Sequence, residues 1–280
     1  MSIYELVEIP LPDGLKMWAR RYGENNCQEP AICIPGLTRN AADFEDLAPK
    51  IAGTGRRVYA VSLRGRGPSD YDPDYHRYFP TTYRDDLIAA LDHLAIERAL
   101  LVGTSLGGII AMLINENAPQ RVSGAIINDV GPELAPEGIA RIAGYVGEEG
   151  HAQDLNEAAA RIRAINEVAF PDATEEDWRL FAKRTFREKP NGWVLDYDPK
   201  IAAALVENGP APDLWPAFRS LNGKPTLLVH GEISDLLTPE IVGKMRAAHP
   251  NMQYVSVPQI GHAPFMTEPA AWDAIKAFLT

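Results

Sequence analysis

The chain has 280 residues, 46% of them apolar and 23% charged, with a formal net charge of −11. That length accommodates one large α/β domain with an insertion, and the acidity argues against a nucleic-acid partner. No apolar run reaches membrane-spanning length, and the first residues lack the basic and apolar regions of a signal peptide, so a cytoplasmic protein without a membrane partner is expected.

Tyr4 to Leu11 and Leu15 to Tyr22 flank Pro12-Asp13-Gly14, a hairpin signal. Cys27 reads as a loop residue. Cys33, inside the apolar run Ala31 to Ile34, reads as a core residue, so neither a disulfide nor a metal site is expected. Short apolar strands then alternate with helical patterns. The strands are Ala31 to Ile34, Arg57 to Ser62, Ala99 to Val102, Gly124 to Asn128, Thr226 to His230 and Gln253 to Val257. The helices are Asp43 to Ala52, Thr82 to Leu94, Leu106 to Asn117, Pro239 to Ala248 and Pro269 to Leu279. Such alternation predicts a mostly parallel sheet with helices on both faces. It stops between Gly131 and about Pro216, where helical spacing at Leu155 to Val168 and Asp177 to Phe186 predicts a helical insertion over the sheet. The expected division is a core of residues 1–130 and 217–280 and a cap of residues 131–216.

Gly103-Thr104-Ser105-Leu106-Gly107 carries the most chemistry. It follows an apolar strand and opens a helix, the setting in which a G-x-S-x-G turn lifts a serine hydroxyl clear of the backbone. A serine hydroxyl is a poor nucleophile without a base. Of the six histidines, His76, His93, His151, His230 and His249 sit in loops, in or at the end of helical patterns, or at a strand end. His262 instead follows the last strand through Pro258-Gln259-Ile260-Gly261, which brings it to the same sheet edge as Ser105. Two aspartates follow strands closely enough to orient that imidazole. Asp235, after the penultimate strand, is the expected acid, and Asp129, before the insertion, is the alternative; Glu232 reads as a loop residue. The N–H of Leu106, at a helix N-terminus, and that of Leu37, after Pro35-Gly36, are the expected oxyanion-hole donors.

Together, Pro35-Gly36-Leu37, Arg64-Gly65-Arg66-Gly67-Pro68-Ser69, Gly103 to Gly107, Gly231 to Asp235 and Gly261-His262-Ala263-Pro264 resemble the α/β-hydrolase superfamily, in its lid-bearing bacterial esterase and lactonase-like group. The resemblance implies an eight-stranded, mostly parallel sheet, a helical cap and a Ser–Asp–His triad, with Ser105 matching the nucleophile, Asp235 the acid and His262 the base. Leu37 and Leu106 match the oxyanion positions. The chain departs from the family where Pro35 replaces a common histidine and Ser62 a common aspartate.

The reaction so implied is attack of Ser105 on the carbonyl of a small-molecule ester or lactone, followed by hydrolysis of the acyl-enzyme. No cofactor is needed: H-E-x-x-H, Walker-A and G-x-G-x-x-G patterns are all missing. Carbon–carbon bond hydrolases of ring-cleavage diketones keep the same triad and are the alternative, as is a ligand receptor on this scaffold. Tyr145, Phe170, Trp178, Trp193 and Trp215 lie in or beside the insertion; most are expected to pack it onto the core, and Tyr145, Phe170 and Trp193 are the candidate substrate-binding aromatics. Arg161, Arg163 and Arg179 are read as solvated helix faces.

Overall fold

A computed structural model describes residues 4–24, 28–147, 150–209 and 212–280. Cys27 lies outside them. The chain opens with the hairpin β1 (Glu5–Pro10) and β2 (Lys16–Tyr22), then enters β3 (Ala31–Ile34), α1 (Leu47–Ala52), β4 (Val58–Ser62) and α2 (Pro80–His93). It continues through β5 (Ala99–Thr104), α3 (Leu106–Asn117) and β6 (Val122–Asn128). The insertion follows: α4 (Pro136–Ala143), β7 (His151–Ala152), α5 (Leu155–Asn166), α6 (Glu175–Thr185), β8 (Phe186–Lys189), β9 (Gly192–Leu195), α7 (Ile201–Glu207) and α8 (Trp215–Ser220). Then come β10 (Thr226–Gly231), α9 (Pro239–Ala248), β11 (Gln253–Val257) and α10 (Pro269–Leu279).

Eight strands form one sheet in the order β1-β2-β4-β3-β5-β6-β10-β11. Only the β1–β2 and β2–β4 pairings are antiparallel; the others run parallel. All four residues of β3 and all five of β4 are buried, as expected of strands covered on both faces. One apolar cluster packs α2, α3, α8 and α9 on one face, through Leu87, Ile110, Phe218 and Met245 among others. The other packs α1 and α10 on the opposite face, through Leu47, Ile51, Ile275 and Leu279. Helix α3 is buried nearly all round, which suits its run of apolar residues in the heart of the fold. Cys33 is buried in β3, and burial raises its thiol well above the ordinary range.

The boundaries shift in small ways with local causes. Proline at the first helical position starts α2 two residues before the expected Thr82. The helix expected from Asp43 splits into a short 3-10 turn over Ala41–Phe44, capped by the Asn40 side chain, and α1. The insertion is not purely helical. It holds an antiparallel sheet in the order β7-β9-β8 and has its own core, in which Ile162, Phe170, Trp178 and Phe186 meet. It also touches the main sheet's loops at several points. Gly261 N–H donates to Ala169 O at 2.7 Å, Gly67 N–H to Asp196 O at 2.9 Å and Ala135 N–H to Leu236 O at 2.9 Å.

Candidate active site

The turn between β5 and α3 holds Ser105 at φ +52° and ψ −118°. That left-handed backbone is costly for a side-chain-bearing residue and persists because the surroundings allow no alternative. Gly103 and Gly107 make the turn possible. A Cβ on Gly103 would lie 2.3 Å from Gly107 O, and one on Gly107 would lie 2.0 Å from Ile34 O. Only hydrogen fits at either place.

His262 arrives from β11 and closes on the serine. Ser105 Oγ and His262 Nε2 are 2.9 Å apart, and His262 Nδ1 is 2.9 Å from Asp129 Oδ2. An ionised carboxylate can only accept, so Nδ1–H donates to Asp129 and Nε2 is left to accept from the serine hydroxyl. Asp129 is fully buried and satisfied: it also accepts Ser234 Oγ–H at 2.6 Å and Gly231 N–H at 2.7 Å. Asn128, equally buried, ties the parts together, donating from Nδ2 to Pro264 O at 2.7 Å and to Thr104 Oγ1 at 3.1 Å.

The expected acid, Asp235, is not the residue at the imidazole. Its carboxylate receives two hydrogen bonds from Arg141 on α4, at 2.5 and 2.9 Å, and its side chain is about one-third exposed. Burial opposes its ionisation, but the hydrogen bonds and charge of Arg141 outweigh this and hold the carboxyl below its ordinary value. The reason is register. Thr104 pairs with Asn128 across β5 and β6, so the next residues, Ser105 and Asp129, leave neighbouring strands together. A positive φ of 54° at Asp129 accompanies this departure. Beyond β10, Ser234 takes the position facing Asp129 and Asp235 falls on the side of α4. Glu232 caps a loop, accepting Gln259 N–H at 3.0 Å. His230 is bound between Tyr254 Oη and Leu237 O.

Leu106 is the first residue of α3, so helix geometry gives its N–H no intrahelical acceptor. The Gly36–Leu37 loop runs alongside: a Cβ on Gly36 would stand 3.8 Å from Ser105 Cβ. Sequence reasoning missed the residue that holds this loop. Arg66, fully buried, donates Nε–H to Leu37 O at 2.9 Å and from its NH1 nitrogen to Arg64 O and Tyr83 Oη, both at 2.7 Å. Its guanidinium also lies 4.7 Å from the centre of the Tyr83 ring.

One chamber opens at the serine and a second, larger one adjoins it. The smaller, of about 90 Å³, is lined by Ser105, His262, Leu37, Phe170 and Phe265 among others. The larger, of about 240 Å³, lies beneath the insertion and is lined by Arg161, Ile162, Phe186 and Leu195. Thr38, Arg39, Tyr145, Asn166 and Phe181 line both. Of the candidate substrate-binding aromatics, Tyr145 therefore borders both chambers and Phe170 the smaller one. Trp193 lines neither: it sits on β9 and packs against the insertion's own core. Trp178 is buried in that core, and Trp215 donates its indole N–H to Glu133 at 2.8 Å. Arg163 and Arg179 lie on exposed faces, paired with glutamates; Arg161 pairs with Glu157 but also reaches the larger chamber. Among the described residues, no group of three or more His, Cys, Asp or Glu side chains could hold a metal ion, and no helix is long and apolar enough to cross a membrane.

Comparison with known proteins places this geometry in a family. The chain is 32% identical to the 3-hydroxybutyrate-oligomer hydrolase of Cupriavidus necator, over 96% of this chain and 94% of the relative. It is 28% identical to the 2-(acetamidomethylene)succinate hydrolase of Mesorhizobium japonicum, over 81% and 79% of the two chains. A crystal structure of an alpha/beta hydrolase from Novosphingobium aromaticivorans superposes with a TM-score of 0.94 at 41% identity, covering 100% of this chain and 99% of the other. Residues 31–274 match the sequence model of the Alpha/beta hydrolase family, and the chain belongs to that family.

Proposed function

We propose that this hydrolase cleaves carboxylic esters, lactones included, through an acyl-enzyme at Ser105. The observation that carries the reading is the relay of two 2.9 Å hydrogen bonds from Ser105 through His262 to Asp129. His262 takes the serine proton as Oγ attacks the acyl carbonyl and returns it to the leaving alkoxide; it then activates water to release the acid. Asp129 fixes the tautomer and stabilises the imidazolium. The N–H groups of Leu37 and Leu106 receive the oxyanion, the first held in place by Arg66. Residues 131–216 act as a cap that keeps water from the acylation step. The relative that acts on 3-hydroxybutyrate oligomers, which are joined by ester bonds, supports the choice of bond.

The test is turnover of p-nitrophenyl butyrate by the protein and by Ser105→Ala, with fluorophosphonate labelling read by peptide mass. Ser105→Ala should lose about 10⁴-fold or more in kcat and all labelling. Near-normal turnover by that variant, or labelling at another serine, would overturn the assignment.

A further inference from the structure

The larger chamber offers more room than the one at the serine, so what reaches beneath the cap has the greater say in which substrate is chosen. Its polar lining is unusual in one respect: its cations are already matched. The Arg39 guanidinium grips the Asp43 carboxylate, with Nε 2.8 Å from Oδ2, is bonded to Thr185 and lies 4.4 Å from the centre of the Phe181 ring. Arg161 is paired with Glu157 at 2.9 Å. Just behind Tyr145, Arg141 is committed to Asp235. A free carboxylate entering here would meet no unmatched positive charge and would be desolvated beside Asp43. Tyr145 is the opposite case. It borders both chambers, and among the described residues its hydroxyl has no hydrogen-bond partner. Arg39 uses Nε and one proton of each terminal nitrogen, which leaves further N–H groups at the junction of the chambers.

On the reading of the site as an esterase, we propose that Tyr145 and Arg39 form a subsite for a neutral oxygen on the acyl chain, a hydroxyl or a second ester carbonyl, and that the enzyme selects hydroxyacyl and oligoester substrates over both plain alkyl and carboxylate-bearing acyl groups. Tyr145 supplies a hydrogen-bond donor that no protein group competes for. The Arg39–Asp43 pair presents a donor and an acceptor without net charge. The subsite touches the substrate away from the bond that breaks, so it sets specificity and leaves the chemistry of Ser105 alone.

Three p-nitrophenyl esters with acyl chains of similar length test it: butyrate, 3-hydroxybutyrate and hemisuccinate. The wild-type protein should prefer 3-hydroxybutyrate and handle hemisuccinate worst. Tyr145→Phe removes one unpartnered hydroxyl, so the thermal midpoint should not move. A neutral hydrogen bond of about 1 kcal/mol corresponds to roughly a fivefold fall in kcat/KM for 3-hydroxybutyrate relative to butyrate. Equal effects on both esters, no effect on either, or a wild-type preference for hemisuccinate would each overturn the subsite while p-nitrophenyl butyrate hydrolysis kept the esterase reading intact. If the wild-type protein cleaves none of the three, the esterase reading falls and the subsite with it.

Discussion

The loops after β6 and β10 leave the same sheet edge side by side, and each carries an aspartate near the site, yet the two carboxylates live in opposite environments. Asp129 has no exposed surface and is held by an imidazole, a hydroxyl and a backbone N–H. Asp235 is about one-third exposed and is held by a guanidinium from the insertion. In the proposed mechanism the first arrangement orients a base in a dry setting, where a fixed charge acts strongly on the imidazolium that forms. The second fastens α4 to the core, reinforced by Gly138 N–H donating to Asp235 O at 3.1 Å. Chain order suits both residues; depth and partner separate them.

The comparison breaks first at Asp129. In Asp129→Asn, an amide must face Nδ1, and its N–H₂ group would turn the imidazole to the wrong tautomer. By analogy with the serine-protease triad, kcat for p-nitrophenyl butyrate should fall on the order of 10³- to 10⁴-fold with folding retained. Adding Asp235→Asn should lower the residue of activity little further. A single variant that keeps more than about a tenth of wild-type kcat would remove Asp129 from the mechanism.

Why this carboxylate was hard to read from the sequence is a matter of register. Both candidates follow a strand, and nothing in the residues themselves states that Asn128 pairs with Thr104 rather than a neighbour. One step along β6 would point a different side chain at the histidine. Ser105 and His262 were legible because each has a local mark: glycines around the serine that exclude any side chain, and a histidine placed just beyond the final strand. The main sheet was legible for a similar reason, its central strands being short apolar runs bounded by turns. The sheet of the insertion was not. Strand β7 has two residues, and β8 reads Phe-Arg-Glu-Lys with three of four side chains exposed, so neither shows a period that propensity could detect. Arg66 was hidden differently, as a charge in a glycine-rich loop whose burial depends on Tyr83, seventeen residues further along.

A smaller effect is expected at Ser234, the residue that stands where Asp235 was expected to act. Its hydroxyl donates to the same Asp129 oxygen that faces His262, and its oxygen accepts the N–H of Leu237 at 3.1 Å. Ser234→Ala leaves Asp129 one donor short in a buried place, at a cost of about 1–3 kcal/mol of stability. The same loss loosens the carboxylate, and kcat should fall by about tenfold without a change of KM. A stability loss with kcat untouched would make Ser234 a support of the loop alone.

The smallest effect should belong to Asp235. Asp235→Asn and Arg141→Gln remove the same pair, and each should leave kcat/KM for p-nitrophenyl butyrate within about threefold, because neither residue bonds to His262. The pair's contribution to stability has a definite sign with pH. The folded state holds the Asp235 carboxyl below its ordinary value, so the unfolded chain binds the proton more readily. The stabilisation is therefore fully present above about pH 4 and is lost as pH falls through the lower folded value. Partial exposure limits it to about 1 kcal/mol or less. Urea titrations at pH 7 and near pH 3 should show the wild-type advantage over Asp235→Asn shrinking at the acid end. A loss of activity in Asp235→Asn as large as that of Asp129→Asn, on the order of 10³-fold or more, would instead mean that both carboxylates serve the base, and the contrast between the two loops would fail.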